Sequence, residues 1–233
     1  MHILVIDGHH VEAEFRAKFG PAHDYSFFNT NYSDRAEQDR MVENMLAAAD
    51  TVDVVFSGEG GQSYLLFAHL TIPVFVEASD ESLIESLEYE GVALDALLFG
   101  YCGLPTLVNR PLLEVSVWNE NNRQKLAETC AALGTDYRVV ADRVGLVTPR
   151  VVCQIINEAC FTLQEGTASM QDIDLGMRLG TNYPRGPFAW ANAIGVERVY
   201  AVLEAMWHDT HDERYKVCPL LKRQALSGEP FNI

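Results

Sequence analysis

The sequence predicts an α/β domain built on a mostly parallel sheet, followed by an all-helical domain. Three observations predict it. Up to about residue 141, short apolar runs of strand length alternate with helical patterns. After Asp142 the pattern changes and long amphipathic segments take over. The charge changes at the same place: residues 1–141 carry 8 basic and 22 acidic residues (net −14), and residues 142–233 carry 9 and 11 (net −2). Strands that alternate with helices are joined by crossovers, and crossovers make neighbouring strands parallel. The expected domains are therefore 1–141 and 142–233.

The elements follow in order. His2–Asp7 (HILVID) is an apolar run ending in a turn, suited to a buried parallel strand. Tyr25–Phe28, Val52–Ser57, Pro73–Glu77, Ala96–Gly100, Glu114–Trp118 and Tyr137–Val140 are the further strand candidates. Ala36–Ala49 is the clearest helix between them, with Met41, Met45 and Ala48–Ala49 near helical spacing. Gly60–Leu70, Glu81–Glu88 and Glu120–Leu133 are also predicted helical. In the second domain, Thr148–Gln164 opens on Thr-Pro, an N-cap followed by proline in the first turn. Ser169 is expected to cap Met170–Leu179, with Asp172 completing a variant capping box. Val196–Trp207 and Pro219–Leu226 are the last helices.

Composition removes several classes. At 233 residues and 48% hydrophobic, the chain can bury a full core. It has no apolar stretch of 18 residues, and its first 20 residues include Asp7, His9, His10 and Glu12, so neither a membrane span nor a signal peptide is expected. A net charge of −16 argues against a nucleic-acid partner, because phosphate binding needs clustered Lys and Arg. The five cysteines (Cys102, Cys130, Cys153, Cys160, Cys218) are widely spaced with no metal-ligand pattern, which suggests buried free thiols and a cytoplasmic protein. His9-His10 is not read as a metal site: adjacent histidines point in different directions, and no partner cluster accompanies them.

The most informative stretch is Asp172–Trp190, DIDLGMRLGTNYPRGPFAW. A helix ends near Gly180, which can supply a left-handed closing residue, and Pro184 and Pro187 bar helix continuation before an aromatic-rich restart. By itself this is a rigid helix–turn–helix corner. Its wording, however, resembles the "DID.AM.LG..YP.GPF" signature of the 3-hydroxyacyl-CoA dehydrogenase family. INEA at Ile156–Ala159, EGTAS at Glu165–Ser169 and the ending DERYKVCPLLKRQALSG resemble further motifs of the same family's C-terminal domain. The resemblance implies a Rossmann-like N-terminal domain, here trimmed, followed by a helical domain that binds substrate and forms a homodimer. It also implies NAD as cofactor and an acyl-CoA substrate.

Residue by residue, the implied chemistry is eroded. The family's G-x-G-x-x-G permits a tight turn and close approach of a pyrophosphate to a helix N-terminus. Here the three glycines match Asp7, His9 and Glu12, leaving Gly8 alone. The family's catalytic histidine matches Tyr101, in YCGLP at Tyr101–Pro105, and its following asparagine matches Leu104. Its orienting glutamate matches Glu114 after a one-residue shift, and a substrate-contacting serine matches Asp80 in ASDES at Ala78–Ser82. In GLVTPR at Gly145–Arg150, a substrate-contacting asparagine matches Pro149. Independently of any alignment, no histidine lies between residues 70 and 207. A tyrosine, with an ordinary pKa near 10, is a poor general base without a cationic neighbour.

The expected catalytic candidates are thus Glu114 and Tyr101, with the Tyr101 hydroxyl bonded locally and Glu114 as a candidate partner. Asp80, Thr148, Asn182, Tyr183 and Arg185 are the substrate-binding candidates, and Arg150 is a further anion contact. No cofactor residue and no metal ligand is assigned. Three functions stay open: a family protein of acyl-CoA metabolism without hydride transfer, an active NAD-dependent dehydrogenase with a rearranged site, and a non-catalytic dimeric interaction subunit.

Overall fold

Among the described residues, seven strands form one sheet in the order β2-β1-β3-β4-β5-β6-β7, where β1 is His2–Ile6, β2 Asp24–Phe28, β3 Val54–Ser57, β4 Val74–Glu77, β5 Leu98–Tyr101, β6 Leu112–Val117 and β7 Asp136–Val139. The coordinates are a computed structural model that describes residues 1–30, 34–58, 63–68, 71–87, 92–93 and 95–233. All neighbouring strands are parallel except β5 and β6. That antiparallel pair follows from a short connection, since only a long crossover could return β6 in the same direction. Strands β3, β4 and β5 are buried on both faces, which is why they read as continuous apolar runs.

Helices cover both faces. On one, α1 (Glu12–Phe19) and α4 (Arg123–Leu133) bring Phe15, Phe19, Leu126, Cys130 and Leu133 against Val5, Phe56, Phe75, Phe99 and Tyr101. On the other, α2 (Arg35–Ala49) and α3 (Leu83–Leu87) set Met45, Leu83 and Leu87 against Leu4, Val55, Val76 and Leu98. Helix α1 lacks a sequence signature because Phe15 and Phe19 form one i,i+4 apolar pair with no repeat. The expected helix at Gly60–Leu70 is reduced, within the described residues 63–68, to one 3₁₀ turn at Ser63–Leu66 followed by a turn, and residues 60–62 and 69–70 lie outside them. Glu88, the last residue of the expected Glu81–Glu88 helix, also lies outside the described residues.

The chain divides into two compact units, Met1–Gly103 with Leu107–Leu146, and Leu104–Thr106 with Val147–Ile233. The second unit is helical: α5 (Thr148–Gln164), α6 (Met170–Gly180), α7 (Pro187–Ile194), α8 (Val196–Thr210) and α9 (Pro219–Ser227). Helix α5 contacts each of the other four, burying Val152, Ile156 and Cys160 in a core with Phe188, Leu203, Met206 and Leu221. Two local expectations are corrected. Val147, not Thr148, occupies the α5 cap, so Thr148 and Pro149 are the first helical residues. Gly180 is helical, and the left-handed residue beyond it is Asn182 (φ 57°), a conformation asparagine tolerates better than most side chains. The Ser169 cap forms as expected, its Oγ accepting from Asp172 N at 3.1 Å.

All five cysteines are free and buried. Among the described residues, no helix is long and apolar enough to cross a membrane.

Candidate functional site

In open parallel sheets, ligands bind beyond the carboxyl ends of the strands, near the point where strand order reverses. Here that point is β1, flanked by β2 and β3. Asp7, just past β1, adopts φ 55° and turns its carboxylate onto Thr30, accepting from the backbone N at 2.6 Å and from Oγ1 at 2.6 Å. The following turn closes on itself, with Val11 N donating to Gly8 O at 3.1 Å. Gly8 is there for packing, because a Cβ would collide with Val5 Cγ1. His9 lies against the Phe27 ring, with centroids 5.9 Å apart. Helix α1 then opens on Glu12 and Glu14, with the Glu12 carboxylate 2.8 Å from Arg16. A dinucleotide pyrophosphate needs open amides and a positive field at this place. A carboxylate, a closed turn and an acidic first helical turn do not fit it.

The second feature is at the carboxyl ends of β4 and β5, where Glu77 and Tyr101 are register partners. Glu77 is buried and fully hydrogen-bonded. Its Oε2 accepts from Ser79 N at 3.0 Å, and its Oε1 accepts from Ser79 Oγ and from Gly103 N at 3.1 Å. Gly103 is required by this close approach: a Cβ would lie 2.9 Å from Glu77 Cγ and 3.1 Å from Tyr101 Oη. Burial, with the nearby Asp80 charge adding to it, pushes the Glu77 carboxyl up to about 7, against the Ser79 and Gly103 hydrogen bonds that favour its charged form. A carboxyl in that range exchanges protons near neutrality, which suits acid–base chemistry.

Tyr101 is 1% exposed, its ring edge-on to Phe56 at 5.2 Å and to Phe75 at 6.4 Å. The expected partner Glu114 does not share a face of the sheet with Tyr101. Tyr101 stands opposite Val115 in the antiparallel ladder, so Glu114 belongs to the other face of the sheet. A one-residue shift in a strand reverses which face a side chain uses, and the shift at Glu114 has that consequence. Glu114 instead lies 3.7 Å from Arg110. Asp80, in the loop after β4, is exposed beside Glu77. The carboxylate that accompanies Tyr101 is therefore Glu77. Its signal in the sequence was a lone charge ending the apolar run VFVE, followed by small residues.

Asp142 is another residue that sequence reasoning passed over. Its carboxylate accepts from Leu83 N and Ile84 N, both at 3.1 Å, and from Ser116 Oγ at 2.9 Å, tying α3 to β6.

Within the second unit, the signature residues build the corner. Asp174 accepts from Phe188 N at 2.8 Å and Ala189 N at 3.0 Å, capping α7 from α6. Tyr183 meets Trp190 edge-on at 6.4 Å, and Trp190 Nε1 donates to Thr106 Oγ1 at 3.0 Å. Asn182 and Arg185 are exposed on the same corner, while Thr148 sits in the first turn of α5. Arg150 donates to Tyr215 Oη at 2.6 Å, and Arg214 donates to the same oxygen. Asn157, the asparagine of INEA, is buried and bridges Lys216 O (3.0 Å) and Cys218 N (2.8 Å). Asp80, Tyr101 and Glu114 belong to the first unit, and Thr148, Asn182, Tyr183 and Arg185 to the second.

Comparison with known proteins divides along the same lines. Residues 145–230 match the family described as 3-hydroxyacyl-CoA dehydrogenase, C-terminal domain. The 3-hydroxyadipyl-CoA dehydrogenase of Escherichia coli K12 is 49% identical over 87 residues, 37% of this chain and 18% of that protein. A probable 3-hydroxybutyryl-CoA dehydrogenase of Bacillus subtilis is 38% identical over 89 residues, 38% of this chain and 31% of that protein. The chain thus matches less than a third of the length of either relative. The likeness in fold is wider. The crystal structure of M. tuberculosis FadB2 covers 99% of this chain and 95% of its own, with a TM-score of 0.72 at 17% identity. That of (S)-3-hydroxybutyryl-CoA dehydrogenase PaaH1 from Ralstonia eutropha gives the same coverage, with a TM-score of 0.70 at 19% identity.

Proposed function

We propose that this chain, whose residues 145–230 match the C-terminal domain of the 3-hydroxyacyl-CoA dehydrogenase family, is a member of that family serving acyl-CoA metabolism of the fatty-acid type without NAD-dependent hydride transfer. It keeps a scaffold or acyl-CoA-binding role. The observation that carries this reading is the Asp7 carboxylate held by Thr30 at the head of a closed turn, where the family's cofactor would need bare amides. Phosphate and carboxylate repel each other, and the first domain's net charge of −14 deepens the penalty. Tyr101, locked among phenylalanine rings, supports the same reading, since a general base must reach its substrate's proton.

An acyl-CoA ligand would meet the less acidic second domain, with Thr148, Asn182, Tyr183 and Arg185 as its proposed contacts. The partner is proposed to be a second copy of the chain, through the helical domain. Leu175 and Leu179 on α6 are 46% and 72% exposed. A groove of about 350 Å³ lies between α5 and α6, lined by Ile155, Ala159, Ile173 and Met177. Exposed apolar side chains on a helical unit suit a protein contact.

One observation favours a second reading, an active dehydrogenase with a rearranged site: Glu77 titrates near neutrality beside Tyr101. An absorbance assay at 340 nm with NADH and acetoacetyl-CoA separates the two. The proposal expects no oxidation of NADH above background. Substrate-dependent oxidation at an ordinary enzymatic rate, roughly 1 s⁻¹ or more, selects the second reading.

A further inference from the structure

The segment that leads into α9 is laid along one stripe of α5. Asn157, Cys160 and Gln164 share that stripe, since residues three, four and seven apart lie on one face of a helix. At one end, Asn157 holds Lys216 O at 3.0 Å and Cys218 N at 2.8 Å. At the other, Gln164 Oε1 accepts from Leu220 N at 3.1 Å and lies 3.7 Å from Cys218 Sγ. Cys218 is thus pinned twice, its backbone to Asn157 and its thiol to Gln164. The α5 residue of the stripe between those two pins is Cys160. A second observation agrees: burial pushes the Cys160 thiol up, and Cys218 is near enough to add to that shift. Both side chains are fully buried, and both belong to the second unit.

We propose that Cys160 and Cys218 form an oxidisable dithiol, the site at which this chain takes up a disulfide that ties the start of α9 to α5. The oxidant is a small organic disulfide. The Cys218 sulfur attacks one sulfur of the donor, the donor S–S bond breaks, and one donor thiol leaves with the proton that Cys218 loses. The Cys160 sulfur then attacks Cys218 Sγ in the mixed disulfide. The second donor thiol departs with the Cys160 proton. The protein pair loses two electrons, and the donor is reduced to two thiols.

The surroundings set the order of events and the choice of pair. Cys218 is the entering thiol because Gln164, the side chain at its sulfur, is exposed and can swing away to admit a small donor. Cys160 lies deeper on α5 and acts only once its partner sulfur is activated. Being held beside that sulfur offsets its weak acidity. Cys153 cannot take its place. It lies two helical turns earlier on α5, about 10 Å from Cys160 along the axis at 1.5 Å per residue, and a rigid helix cannot close that gap. A disulfide needs Cα atoms about 4.4–6.8 Å apart. Cys102 and Cys130 belong to the first unit.

The test incubates the full folded chain with hydroxyethyl disulfide, blocks the remaining thiols with N-ethylmaleimide and maps the peptides by mass without reduction. The expected product is a Cys160–Cys218 crosslink, roughly tenfold or more above any other cysteine pair. In urea the short Cys153–Cys160 loop should replace it, because an unfolded chain closes short loops more readily than long ones. The crosslinked chain should also unfold at a higher urea concentration than the reduced chain, since the closed loop restricts the unfolded state. Cys218→Ser, treated in the same way, should show no such rise. Three results would overturn the inference: a different dominant pair in the folded chain, a crosslink that lowers the urea midpoint, or donor adducts at Cys160 and Cys218 in place of the crosslink. Both thiols staying reduced under conditions that oxidise the unfolded chain would overturn it as well.

Discussion

Asp174 and Gly186 approach so closely that a single methyl group on Gly186 would collide with the Asp174 carboxylate. The contact exists because α7 begins at Pro187, which has no N–H, behind a glycine that has no capping side chain. The next two amides are orphan donors, and Asp174 reaches across from α6 to accept both. The signature that marks the family is, in this chain, a device for holding one helix end against another.

Two substitutions test that device together. Asp174→Ala should destabilise the helical unit by about 1–2 kcal/mol, the usual cost of a lost cap. Gly186→Ala should cost about 1–3 kcal/mol by overpacking, since its backbone (φ −69°, ψ 157°) is open to any residue. Because both act on one contact, the double variant should be less destabilised than the sum, measured as a shift in urea midpoint followed by Trp fluorescence. Strict additivity would show that the contact does not hold the corner.

Asn157 invites a similar measurement. Its amide spans Lys216 O and Cys218 N inside the core, so Asn157→Ala leaves a buried donor and a buried acceptor without partners. A loss of about 2–4 kcal/mol is expected, at roughly 1–2 kcal/mol per orphaned group, read from chemical denaturation. A change below about 0.5 kcal/mol, the range of ordinary surface substitutions, would mean that the bridge is dispensable.

Much of this was legible in the sequence, for identifiable reasons. Buried parallel strands such as LVI and VVF have to be apolar on both faces, so they stand out as runs bounded by turns. The Ser169 cap reads directly because it is local: the capping hydroxyl and its amide are three residues apart. What was not legible depends on distance along the chain or on register. Asp142 works 59 residues away from Leu83, and no spacing announces that. Glu114 looked like a partner for Tyr101 because linear order hides the sheet's alternation, and the ladder gives Tyr101 to Val115 instead. Glu77, 24 residues before Tyr101, becomes its neighbour only through the β4–β5 register. Asp7 was visible as a misplaced carboxylate, while its grip on Thr30 was not.

The Glu77 carboxyl should leave its mark on stability as a function of pH. Its folded pKa of about 7 lies above the ordinary value of 4.5, so between those values the native state binds more protons than the unfolded state. Stability from this group is therefore fully present below about pH 4.5 and is lost as pH rises through 7. The shift sets an upper limit of about 3 kcal/mol, at 1.36 kcal/mol per pH unit. Glu77→Gln, which cannot ionise, should flatten the decline in melting temperature between pH 5 and pH 8. Parallel melting curves for the two proteins across that range would refute the assignment.

The proposed loss of the cofactor is open to calorimetric titration of the full chain with NADH, with acetoacetyl-CoA titrated separately into the same preparation. No saturable heat is expected for NADH up to about 1 mM, where a dissociation constant of that size corresponds to only about 4 kcal/mol. Stoichiometric NADH binding with a micromolar dissociation constant would overturn the proposal, because a pyrophosphate would then have to sit beside the Asp7 carboxylate and the closed Gly8–Val11 turn.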